Sequence, residues 1–234
     1  MKLLYSETLY QLYLNSGRFT QFFYLLLFLF AVLSYRYFVK EYKWMFFLFC
    51  TFFFFEFLAG LLIEPFDLEN THFTDHFYLF FSIAIQSVLY FLIVENKRVR
   101  NLIKYLVPLL LVMIIAFALV NQGYLSGSPI APVKYFLFSG LYLHVHRQLV
   151  INSRINRLKD NPLFWLNLGL LIMNIYYLFF VTIIDFVIPI SDDWSFILYI
   201  LKNAIDPVSC VLWAISIYKL RNWKQPNIKQ VASQ

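Results

Sequence analysis

Residues Trp194 to Tyr218 read WSFILYILKNAIDPVSCVLWAISIY. Wound as an α-helix at about 1.5 Å per residue, the stretch is roughly 37 Å long, more than the ~30 Å hydrocarbon core of a bilayer. Most of it is apolar, but Lys202, Asn203, Asp206, Ser209, Cys210 and Trp213 recur at helical spacing along one stripe. Such a helix crosses a membrane and turns its polar stripe toward other protein. Pro207 cannot donate to the carbonyl of Asn203, so a kink and a freed acceptor are predicted there, with Pro207 as a hinge.

Six further apolar runs have the same character: Phe19 to Tyr35, Trp44 to Ile63, Phe77 to Val94, Leu102 to Val120, Ile130 to Val145 and Leu163 to Ile188. The run from Ile130 is the least regular, because Lys134, Gly140 and His144 interrupt it and Pro129 and Pro132 bracket its start. Polar residues there need a protein-facing side. The reading is therefore an all-α polytopic membrane bundle of seven transmembrane helices, a single transmembrane domain over residues 1–234. Six helices with a re-entrant segment is the fallback.

Composition agrees with that reading. The chain is 61% hydrophobic and 14% charged, whereas soluble domains are roughly half apolar and a quarter charged. Seven spans of about 20 residues take up roughly 60% of the length and leave no material for a separate domain. A disordered chain, a disulfide scaffold and a nucleic-acid binder are excluded on the same grounds. Cys50 and Cys210 both fall inside spans and read as packing residues.

Sidedness follows from the cations, since short loops rich in Lys and Arg stay in the cytoplasm. Fifteen of the 19 lie in the loops after the first, third and fifth spans, in the basic tail, residues 219–234, or, as Lys104, in the first turn beyond such a loop. The acidic residues Glu64, Asp67, Glu69, Asp75, Asp185, Asp192 and Asp193 gather at the other side. The N-terminus is expected outside and the C-terminus inside the cell (inner) membrane. Residues 1–18 place Leu3, Leu4, Leu9, Tyr10, Leu12 and Tyr13 among polar neighbours, the pattern of a short interfacial helix on the outer surface.

An ionisable side chain at the middle of a span costs roughly 2.5–3.5 kcal/mol on insertion scales, so these positions carry the functional information. Glu56 and Lys202 share a depth of roughly 10–12 Å below the outer boundary, and Asp206 sits one turn beyond Lys202 on the same face. Glu56, Lys202 and Asp206 form a candidate triad of net charge −1, onto which Ser82, Gln86, Asn174 and Asn203 can converge. Two readings follow: a hydrogen-bonded network that only pairs helices, or an outward-opening polar pocket for a ligand or ion, built by the second, third, sixth and seventh spans. A second and weaker candidate is His72, Asp75 and His76, whose spacing would suit a metal or an acid sensor. An ordinary solvated acidic loop is the simpler reading of those three, and no metal and no cofactor is assigned.

The sequence carries no nucleophile elbow, HExxH, Walker loop, dinucleotide-binding turn or CxxC, so no catalytic residues are assigned. A retinal Schiff base at Lys202 is disfavoured because Asp206 follows the lysine and Gln86 stands where a carboxylate would be needed. Glu56, the pair Phe77-Tyr78, the run Asn161-Pro162-Leu163-Phe164, and Asn203 with Asp206 together resemble a pattern found in small bacterial seven-helix membrane proteins often encoded beside sensor histidine kinases. Ser82 departs from that pattern, which has a glutamate there. The resemblance implies a sensor or signalling accessory that works with a cytoplasmic or membrane signalling partner. The alternatives are a small proton-coupled transporter and a structural membrane subunit; in each case the lipid bilayer is the constant partner and nucleic acid is not one.

Overall fold

The computed structural model describes residues 2–38, 43, 72–94, 96–120, 130–152 and 158–221. Among these residues the secondary structure is wholly helical. The helices are α1 (Lys2–Ser34), α2 (His72–Ile93), α3 (Lys97–Val120), α4 (Ile130–Asn152), α5 (Pro162–Val187) and α6 (Asp192–Arg221), with a 3₁₀ turn (Tyr35–Tyr37) closing α1. Four contain segments long and apolar enough to cross a membrane: Glu7–Tyr37, Lys97–Phe117, Pro162–Ile184 and Asp192–Arg221. A shorter apolar segment, Leu79–Phe91, lies in α2. The second apolar run, Trp44 to Ile63, falls outside the described residues apart from its flanking Lys43.

Local chemistry sets the helix ends. Asn161 caps α5 by accepting a hydrogen bond from the Leu163 amide at 2.9 Å, and Pro162 occupies the first helical position, where no amide donor is needed. Asp192 and Asp193 open α6, and Lys219 and Arg221 close it, each charge matched to the helix dipole.

Helix α6 packs along both α1 and α5; α5 also packs along α4, and α2 joins α4 to a peripheral α3. The core is continuous across these contacts, from Tyr24 and Leu27 of α1 through Ile83 and Leu89 of α2 to Trp213 and Ile217 of α6. Leu102, Tyr105, Leu109, Val112 and Leu119 leave the outer side of α3 exposed. Side chains this apolar suit lipid rather than water.

One detail differs from the sequence reading. Residues 2–18 are not a separate helix; they are the first half of the 33-residue α1. No proline breaks it, and Gly17 sits against Asn203 of α6, where a Cβ would still have 3.7 Å to the amide nitrogen. Tyr13 stacks on Phe196 at 5.7 Å and meets Tyr199 at 5.5 Å, which carries the pairing with α6 past the apolar run. Thr20, Tyr24, Leu27, Ala31 and Ser34 are buried along one side of α1.

Candidate functional site

The stripe of α6 is turned inward. Asn203, Asp206, Ser209, Cys210 and Trp213 are all buried, while Lys202 at its edge keeps 29% of its side chain exposed. One turn of helix brings Lys202 Nζ to 4.0 Å from Asp206 Oδ2. Asp206, 1% exposed, is held from two further helices. The Tyr177 hydroxyl of α5 lies 2.9 Å from Oδ1 and 2.8 Å from Oδ2, sharing its proton between them, and Tyr24 of α1 is a second donor. Lys202 Nζ also stands 5.0 Å from the centre of the Tyr177 ring, so the ammonium meets both the carboxylate and an aromatic face. A buried carboxylate persists only when its lone pairs are met by donors or a counter-charge; here α1, α5 and α6 each supply one.

The other expected members gather elsewhere. Ser82 and Gln86 lie one turn apart on α2 and hydrogen-bond at 3.2 Å. Ser82 links this pair to Lys134 of α4: the Lys134 ammonium, in a side chain with no exposed surface, donates to Ser82 Oγ and lies 4.0 Å from the centre of the Tyr135 ring. Edge-to-face contact between Tyr135 and Tyr177 at 5.3 Å joins this group to Asp206. The polar layer thus runs Gln86, Ser82, Lys134, Tyr135, Tyr177, Asp206, Lys202 across α2, α4, α5 and α6. Lys134 is a residue the sequence reading treated as an interruption of a span. Its helix turns it to the protein interior, where a buried cation needs acceptors.

Asn203 faces α1 instead of the carboxylate. Its side-chain amide donates to Ser16 Oγ at 3.0 Å, and its backbone carbonyl, the acceptor that Pro207 leaves free, takes the Thr20 hydroxyl at 2.7 Å. Thr20 is also 3.0 Å from the Ser16 carbonyl of its own helix, so one hydroxyl is shared between carbonyls of α1 and α6. Asn174 is fully buried but points its amide at Leu170 of the same helix, at 2.7 Å, and does not hydrogen-bond to Lys202 or Asp206. Its Oδ1 has no hydrogen-bond partner among the described residues, and neither does Gln86 Oε1.

Glu56 lies outside the described residues, so the triad is described only as Lys202 with Asp206. With Lys134 included, the spans read from the sequence carry two cations, Lys134 and Lys202, and two carboxylates, Glu56 and Asp206, well inside their apolar runs. His72, Asp75 and His76 fall in the opening turns of α2, with their side chains outside the description. No group of three or more His, Cys, Asp or Glu side chains converges among the described residues.

Toward the opposite end the contacts are structural in character. Asn167, fully buried, donates to the Tyr142 carbonyl at 3.1 Å and sits 3.4 Å from Nδ1 of a half-buried His146. Trp213 donates to the Leu166 carbonyl at 3.3 Å, and Ser216 to the Pro162 carbonyl at 2.7 Å, tying α6 to the start of α5. Gly169 permits that approach, because a Cβ there would stand 2.4 Å from Trp213 Nε1. No protein-family model, curated protein or solved structure matches the chain.

Proposed function

We propose that the chain is a seven-span protein of the cell (inner) membrane, N-terminus outside and C-terminus inside, acting as a sensor or signalling accessory through a polar pocket in its outer half. The observation that carries this reading is the position of the Lys202–Asp206 pair. Its cation is partly exposed, its carboxylate is buried, and the next residue is Pro207. A ligand or charge change that reaches Lys202 alters the hold on Asp206 at the point where α6 lacks an internal hydrogen bond and depends on Thr20 of α1 for its substitute. Beyond that point α6 continues to the cationic Lys219 and Arg221, on the side expected to face a cytoplasmic partner.

The test is Lys202→Met and Asp206→Asn in cells. Variants that accumulate normally but lose the transcriptional or partner response support the sensor reading. Variants that vanish from the membrane would instead assign the layer a purely structural role.

A proton-coupled transporter is the second reading, favoured by two hydrogen-bonded polar groups, Gln86–Ser82–Lys134 and Tyr177–Asp206 with Lys202 beside it, set next to each other through the Tyr135–Tyr177 ring contact. Flux into proteoliposomes that tracks a pH gradient, and that is lost in Asp206→Asn, would select it over the first.

A further inference from the structure

We propose that the seam between α1 and α6 binds an anionic phospholipid, its headgroup at Arg36 and Arg221 and an acyl chain in the groove beside them. The proposal is independent of the sensor reading and rests on the helices being embedded in a bilayer with this end toward the cytoplasm. Two separate observations meet on this seam.

The first is a pair of guanidinium groups on one ring. Arg36 Cζ stands 4.7 Å and Arg221 Cζ 4.6 Å from the centre of the Tyr37 ring. All three residues are exposed, and among the described residues neither arginine makes an ion pair. Lys43, 5.1 Å from the neighbouring Tyr35 ring, adds a third cation. Two helix C-termini end here, each worth about half a negative charge. Two guanidinium charges exceed that sum, so the end of the seam stays positive and attracts an anion. A planar, forked donor is the side chain best suited to a phosphate, and two on one ring bring a phosphodiester within reach of both.

The second is an apolar groove of about 420 Å³ on the same seam, lined by Phe23, Leu26 and Phe30 of α1 and by Cys210, Val211 and Ala214 of α6. Leu26 and Val211 are about half exposed, so the groove opens sideways at membrane depth. Phe30 precedes Arg36 by six residues and Phe23 by thirteen, which places the groove roughly 9–20 Å along the helix axis from the arginines. One leaflet of hydrocarbon is about 15 Å deep. A lipid with its phosphate at the arginines therefore lays a chain in the groove, whereas a soluble anion would fill only the charged end. Basic pockets between helices at the cytoplasmic side are a recognised setting for anionic headgroups, and the distribution of lysine and arginine puts this end on that side.

The test uses the full-length protein purified in mild detergent, with native mass spectrometry after adding phosphatidylglycerol or phosphatidylcholine of identical acyl chains, and inorganic phosphate as a competitor. We expect phosphatidylglycerol to be retained at least tenfold better. Arg36→Gln and Arg221→Gln should each weaken its retention about fivefold, and Ala214→Phe, which fills the groove, should lower retention of both lipids. Lys97→Gln, the same charge change on the same side but on α3, is the control expected to retain wild-type binding. Equal retention of the two lipids, or unchanged retention in the double arginine variant, overturns the proposal. So does full displacement by inorganic phosphate, which would leave the groove without a role. A stable dimer that Ala214→Phe converts to monomer would overturn it too, assigning the seam to a second copy.

Discussion

The Tyr177 hydroxyl spans both oxygens of the Asp206 carboxylate, at 2.9 and 2.8 Å, from a different helix. A single donor shared this way neutralises neither oxygen fully, yet it fixes the carboxylate plane and ties α5 to α6. Tyr177→Phe keeps the ring contact with Tyr135 and removes only the donor. Hydrogen bonds to charged groups contribute about 1.5–3 kcal/mol, and Tyr24 remains as a second donor, so a loss near the lower figure is expected. The cost should shrink in an Asp206→Asn background. Unfolding titrations of the four proteins of that cycle check it, and additive losses would show that the two groups are not coupled.

Thr20 and Pro207 form a second pair of dependent positions. The threonine hydroxyl serves the Asn203 carbonyl because the proline, four residues on, has no amide hydrogen to offer. Thr20→Val should therefore cost about 1 kcal/mol in the native protein. In Pro207→Ala the helix supplies its own donor, and the same threonine substitution should cost much less. Equal costs in both backgrounds would mean that the carbonyl is not what Thr20 serves.

Gly169→Ala places a methyl group 2.4 Å from Trp213 Nε1 unless one helix moves. Trp213 is wholly buried and ring-shaped, so it cannot give way as a flexible chain end does. A loss of about 1–3 kcal/mol is expected, typical of an overpacked interior. Trp213→Leu, costly by itself, should make Gly169→Ala nearly neutral. Thermal unfolding of the four proteins of that cycle, followed by circular dichroism, checks both effects.

Ser82 accepts from Lys134 and from Gln86 at once. Ser82→Ala removes an acceptor from an ammonium group that has no contact with solvent, so a loss of about 1.5–3 kcal/mol is expected. Ser82→Thr keeps the oxygen and should retain most of the stability. If alanine and threonine behave alike, the hydroxyl is not the anchor of the lysine.

Much of the fold was legible because membrane solvent makes a blunt demand: every backbone group must be paired within its own helix, and long apolar runs announce this. The inward stripe of α6 could be read from Lys202 to Trp213 for the same reason. The partners could not. Tyr24 and Tyr177 stand among 17 tyrosines, and a tyrosine in a span reads as easily as an interfacial or packing residue. Lys134 carried the strongest signal, a cation inside an apolar run, but the irregularity of that run obscured which helix it would join. Serine, threonine and glycine at Ser16, Gly17 and Thr20 gave a faint mark of close helix contact that only the facing Asn203 explains.

The union of α1 with α6 also bears on biogenesis. Ser16, Thr20 and Tyr24 emerge from the ribosome early, whereas Asn203 and Asp206, which they serve, arrive some 180 residues later. Until then α1 has its polar side uncovered by α6. Burial of that side thus waits for α6, and a chain stopped short of α6 would leave it open to the cell's quality control.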